Sequence, residues 1–120
     1  MDKNTLLKTS VLPVFSKMKK EDMFPAIKYL VEENKSIIGK IENLKVLTWN
    51  NLVYKLEESD DKISKAWAPI RHLNSVMNDK EIRAQYEKSL NLLTSHYGKI
   101  GQNKKLFSQY EKLYKQNKEN

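Results

Sequence analysis

Lys65-Ala66-Trp67-Ala68-Pro69-Ile70-Arg71-His72-Leu73-Asn74-Ser75-Val76 stands near the middle of the chain and ends its longest run of helical spacing. A proline interrupts the run, with Trp67, His72 and Asn74 clustered around it. Helix interiors normally exclude proline, because its ring clashes with the preceding turn and it has no N–H to donate. A proline here predicts a kink held by tertiary packing. Directly downstream, Val76-Met77-Asn78-Asp79-Lys80-Glu81 reads as a helix stop followed by a fresh start. Everything before this point has to pack against everything after it.

Upstream, the same helix reads back to about residue 49, with Thr48 as its N-cap. Its stripe is Leu52, Val53, Leu56, Ile63, Ala66, Trp67, Ile70 and Leu73. Ser59 and Asp60 interrupt that stripe, and a polar pair on a buried face needs partners or water. The sequence assigns them to a flank that reaches solvent. A first helix is expected over about 20–44, from Met23, Ile27, Leu30, Val31, Ile37, Ile38, Ile41 and Leu44 at three-and-four spacing. Glu21 and Asp22 suit its positive end, Gly39 weakens it slightly, and its wide face implies more than one neighbour. Before it, Val11-Leu12-Pro13-Val14-Phe15 is apolar and broken by proline, which predicts an extended arm over 1–16 that tucks onto the domain.

Downstream, Asn78 with Glu81 resembles a capping box and opens a third helix over about 79–100. Its stripe is read as Ile82, Tyr86, Leu90, Leu93, Tyr97 and Ile100. A fourth helical segment, about 103–115, carries Leu106, Phe107, Tyr110, Leu113 and Tyr114, and the tail 115–120 is expected to fray. No strand pattern, sustained heptad or solenoid repeat emerges. The expected fold is all-α: an antiparallel bundle of three to four long helices, spanning 17–114, with an irregular N-terminal arm.

Composition agrees. The 120 residues include 39% hydrophobic and 31% charged side chains, with only three Gly and three Pro, too few for the turns of a sandwich or barrel. No run approaches the ~18 apolar residues of a membrane span. The N-terminus has no apolar stretch long enough for a signal peptide, and there is no Cys for a disulfide or thiolate metal site. A cytoplasmic location is the expectation. The net charge of +7 comes almost wholly from Lys, interleaved with acids as in Lys55-Leu56-Glu57-Glu58-Ser59-Asp60-Asp61-Lys62. Phosphates and base edges are usually read by Arg, so a solvated lysine surface outweighs a nucleic-acid footprint.

Nothing assembles a catalytic machine. His72 is followed by Leu73 and His96 by Tyr97, so neither opens a His-Glu-x-x-His pair. Catalytic zinc takes three protein ligands and an open position, and the pattern of the two His supplies no recognisable set. Hydrogen-bonded structural histidines are expected instead. Glu57-Glu58 and Asp60-Asp61 are adjacent carboxylates about 100° apart on a helix, which sequence position alone does not make a shared-proton dyad. No Gly-x-Ser-x-Gly elbow and no glycine-rich phosphate loop appear. The expected catalytic, cofactor-binding and metal-ligand sets are therefore all none.

One resemblance covers almost the whole chain. His72-Leu73-Asn74-Ser75-Val76, Asn78, Glu81-Ile82-Arg83 and Tyr86-Glu87 resemble the N-terminal region of the thimet-oligopeptidase-like zinc metallopeptidases, in their oligopeptidase A branch. The likeness runs back through Asp60-Asp61, Thr48-Trp49, Asn51-Leu52, Pro25-Ala26-Ile27 and Leu12-Pro13 to Phe15-Ser16-Lys17. It runs forward through Leu92-Leu93, Gly101-Gln102, Leu106-Phe107 and Tyr110. Departures are Asn91, where the family often has Pro, and Arg71, where a small residue is common. The resemblance implies a helical channel wall that excludes folded proteins and leaves only short peptides to a two-lobed metalloendopeptidase. Its zinc and catalytic Glu belong to a His-Glu-x-x-His segment that no position here matches. The chain is thus expected to be non-catalytic and without cofactor of its own. It is also expected to carry surplus apolar surface for a catalytic lobe or a second copy, with peptides as a further class of partner. A stand-alone helical module that binds protein or peptide remains the alternative reading, and a nucleic-acid binder using Lys and Tyr the weaker one.

Overall fold

The computed structural model describes residues 19–118, so the arm expected over 1–16 lies outside the described residues. Four α-helices follow a short 3-10 turn at Lys20–Asp22: α1 Met23–Glu42, α2 Lys55–Val76, α3 Lys80–Ile100 and α4 Lys104–Lys118. No strand occurs among the described residues. The fold is all-α, an elongated bundle of 54 × 26 × 20 Å.

The chain before α2 differs from a plain helix. Trp49–Tyr54 forms a π-helical turn that runs straight into α2. Thr48 caps it: its Oγ1 accepts from Asn51 N at 3.0 Å, while Asn51 Oδ1 accepts from Thr48 N at 2.9 Å. The reciprocal pair closes two backbone donors that would otherwise have no intrahelical acceptor. At the third helix the cap falls one residue later than the spacing of Asn78 and Glu81 predicts. Asp79 Oδ1 accepts from Glu81 N at 2.8 Å and Ile82 N at 3.1 Å, so Asp79 is the cap. Asn78 instead accepts from Arg83. Asp79 is also paired with Lys20, which ties the start of α1 to the start of α3. The Lys20 hydrogen bond and the Ile82 N–H hold the Asp79 carboxyl below its ordinary range. Residues 115–118, expected to fray, complete α4, and Gln116 Nε2 donates to Leu47 O at 3.1 Å.

α1 is central and packs against each of the other three helices, which explains its wide apolar face. Contacts of Asn34 with Ser59, and of Glu33 with Lys62, set α1 antiparallel to α2. Phe24 with Gln85 and Asn34 with His96 set it parallel to α3. α2 runs unbroken through Pro69, whose buried ring sits on the same face as Ala66 and Ile70. A first core gathers Met23, Ile27, Leu30, Ile63, Ile70 and Ile82, with Trp67 stacked on Tyr86 at 5.1 Å. The second joins Ile38 and Ile41 to Leu47, Leu52, Leu56, Leu106 and Leu113. α4 lies across the C-terminal end of α1 and the connection beyond it.

Two glutamines close the two ends of α1. Gln85 Oε1 accepts from Phe24 N at 2.9 Å, and buried Gln109 Nε2 donates to Ile41 O at 2.8 Å and Leu44 O at 2.9 Å. Helix-end carbonyls buried without a donor carry a desolvation cost of about 1–3 kcal/mol. Gln109→Ala is therefore expected to lower unfolding free energy by about 2 kcal/mol in a urea titration. An unchanged midpoint would mean that water replaces the amide without loss.

Candidate functional site

Three helices each place one polar side chain at a core position: Asn34 of α1, Ser59 of α2 and His96 of α3, all at most 3% exposed. Asn34 Nδ2 donates to Ser59 Oγ at 2.9 Å and Asp60 Oδ1 at 3.0 Å, and Asn34 Oδ1 meets His96 Nε2 at 2.7 Å. A carboxylate only accepts, so the amide nitrogen must face Asp60 and its oxygen must face the imidazole. That fixes the His96 tautomer with its proton on Nε2, donating to Asn34. The Tyr97 hydroxyl donates to the same Asp60 oxygen at 3.0 Å. Burial, followed by the Asp60 charge, pushes the Tyr97 phenol far above its ordinary range.

This is a Ser, a His and an Asp in one cluster, but it is not wired as a triad. A triad needs histidine to accept from serine and donate to the carboxylate. Here Asn34 stands between them and takes the histidine's proton-bearing nitrogen. Ser59 is also only 2% exposed, and its hydroxyl is taken up by Asn34. The cluster is a brace joining α1, α2 and α3. Sequence reasoning put Ser59 and Asp60 on a solvent flank and overlooked Asn34 altogether. The structure corrects this by burying Ser59 and giving both residues Asn34 as partner.

The brace makes stability depend on pH. Burial, with help from Lys35 and against Asp60 and Glu32, holds the His96 imidazole below its ordinary 6.5. Lys99 adds to the lowering. The unfolded chain then binds a proton that the folded chain refuses, so the contribution is complete above the unfolded value and lost as pH falls through it. Urea midpoints are expected to drop between about pH 7 and pH 5. His96→Gln should flatten that part of the profile, and an identical slope in the variant would contradict the assignment.

The remaining predicted residues stay apart. His72 is exposed near the end of α2. Glu57, Glu58 and Asp61 are exposed, and Asp61 pairs with Lys65 at 2.9 Å. No group of three or more His, Cys, Asp or Glu side chains converges among the described residues. These residues do not fit a zinc site, which needs three or four such donors around one point. No helix among the described residues is long and apolar enough to cross a membrane.

Beside the brace, α1 and α2 leave an open groove of about 670 Å³. Tyr29, Ile37, Ile41 and Leu44 give it an apolar side. Glu32, Glu33 and Glu58 line it together with Lys40, Lys55 and Lys62, and Lys62 pairs with Glu33 at 3.5 Å. Its charges cancel. Elsewhere, Trp49, Tyr54, Phe107 and Tyr114 are 50%, 59%, 51% and 66% exposed. Large apolar side chains are thus exposed on the π-helical turn and α4, and also at Tyr29 of α1, Val46 before the turn, and Val76 and Met77 at the end of α2.

The sequence profile of the neurolysin/thimet oligopeptidase N-terminal domain matches residues 27–120. The chain belongs to that family. Oligopeptidase A of Haemophilus influenzae is 36% identical over 107 residues, 89% of this chain. The Salmonella typhimurium and Escherichia coli oligopeptidases A are 37% and 36% identical, each over 92% of the chain. The chain spans 16% of the length of each of these oligopeptidases. No solved structure matches it.

Proposed function

We propose that the chain is a non-catalytic N-terminal part of an oligopeptidase-A-like zinc peptidase, working in the cytoplasm as a wall of the peptide channel and a docking surface. The observation that carries this reading is the match over nearly the whole chain to about one sixth of each oligopeptidase. The side chains most suited to chemistry support it, because Ser59, Asp60 and His96 are all engaged by Asn34. Zinc and the catalytic groups belong to a segment outside these helices. The exposed Trp49 and Tyr54 of the π-helical turn and Phe107 and Tyr114 of α4 are the side chains against which that segment packs.

Incubating the purified chain with zinc and a quenched fluorescent peptide tests the non-catalytic half of the proposal. No metal-dependent cleavage is expected, and turnover abolished by His96→Gln or His72→Gln would overturn it. A second reading, a stand-alone module that binds protein or peptide, is favoured by the two cores the chain closes without further helices. It predicts tight capture of a partner unrelated to peptidases, with Trp49→Asp abolishing capture.

A further inference from the structure

We propose that the groove between α1 and α2 holds the carboxyl-terminal end of a short extended peptide. Its free carboxylate lies between Lys40 and Lys55, and its last, apolar side chain rests on Ile37, Ile41 and Leu44. All five of those residues line the groove, whose volume of about 670 Å³ falls within the ~300–1,000 Å³ usual for ligand sites. The inference rests on the reading of the chain as a wall facing peptides, and gives that wall a place that retains one. The charges of the groove cancel in sum but are separated along its length. Asn34 meets Ser59, and Glu33 meets Lys62, across the antiparallel helices. On that register Lys40 comes level with Lys55, at the end where α1 finishes. Glu58 comes level with Ser36, and Glu32 lies farther still from the two lysines.

Ion pairing sharpens the separation. Glu33 takes up Lys62 at 3.5 Å, and Glu32 has an exposed contact with Lys35 at 3.5 Å, of a kind that contributes little. Among the described residues no ion pair takes up Lys40, Lys55 or Glu58. Two ammonium groups without a counter-charge, beside an apolar floor, are complementary to a carboxylate that carries an apolar side chain. Glu58 and Glu32, toward the other end, are complementary to an α-amino group. From Glu32 to Lys40 α1 advances about 12 Å, which an extended peptide spans in about four residues. The ligand class is therefore a free peptide of about four residues, running in the same direction as α1.

The test is a nuclear magnetic resonance titration of the full, nitrogen-labelled chain with the tetrapeptide Ala-Ala-Ala-Leu. Saturating amide shifts are expected at Ile37, Lys40, Ile41 and Lys55. The same peptide with an amidated C-terminus should bind about fivefold more weakly. Lys40→Gln with Lys55→Gln should weaken the acid by the same factor and leave the amide unchanged; both lysines are exposed, so the fold does not depend on them. Equal affinity for acid and amide would overturn the proposal. So would saturating shifts confined to residues outside the groove, or no shifts at millimolar peptide. Groove shifts that follow the concentration of the chain rather than of the peptide would also overturn it, by placing a second copy there. Binding is read on the chain alone, so its failure leaves the wall reading standing, whereas failure of that reading shows in peptide hydrolysis by a truncated oligopeptidase.

Discussion

Replacing Asn34 by Ala is expected to lower the unfolding free energy by about 4 kcal/mol and the thermal midpoint by ~15 °C. Few polar side chains in a domain of this size would cost as much. The variant strips a partner from Ser59, Asp60 and His96 together, and each buried group left short carries about 1–3 kcal/mol of desolvation. The effect should be strongly non-additive. Once Asn34 is gone, His96→Phe removes the very imidazole that has been orphaned, and the double variant should recover about 1–2 kcal/mol relative to the sum of the singles. Strict additivity in a double-mutant cycle would mean that the two side chains do not share one network. A hydrogen-bonded brace of this kind fixes the relative rotation of three helices, which apolar contacts alone leave loosely specified.

The second large effect is purely apolar. Ile27→Ala, at a position with 0% exposure in the first core, is expected to cost about 3.5 kcal/mol, combining lost transfer energy with the cavity left behind. α1 is packed on three sides, so its neighbours have little room to close the gap. Ile37→Ala on the same helix makes the contrast: Ile37 is only partly buried and lines the open groove. It should cost about 1 kcal/mol or less when both variants are compared by guanidinium titration. Equal losses at the two positions would contradict the central placing of α1.

The helices were legible because three-and-four spacing survives in every segment, and the break at Val76 with its restart at Lys80 is written in local residues. The rotation of α3 was not. Reading only apolar residues chose Tyr86, Leu90 and Tyr97, whereas the buried face is Ile82, Gln85, Ser89, Leu93 and His96. Leu90 and Tyr97 are 39% and 38% exposed. Both stripes share Ile82 and Leu93, so hydrophobicity alone does not separate them. A usable signal was present: Asn34 sits four residues from both Leu30 and Ile38, Ser59 interrupts the stripe of α2, and His96 lies three residues past Leu93. One polar residue at a core position on each of three helices implies a shared polar layer, because each needs a partner. Which partner each takes depends on three-dimensional register, and that is not written in any one helix. Ser89 shows the limit of the argument: it is fully buried and its hydroxyl has no hydrogen-bond partner.

On the proposed reading this chain works with a much longer polypeptide, and the exposed aromatic side chains of the π-helical turn and α4 are where the two should meet. The most direct measurement is peptide hydrolysis by Escherichia coli oligopeptidase A lacking its aligned N-terminal part, titrated with this chain. The account predicts that hydrolysis rises with added chain to a plateau, and that Trp49→Asp or Phe107→Asp moves the plateau to higher concentration. No rise at any concentration, with the chain folded and the truncated enzyme still holding its zinc, would contradict it.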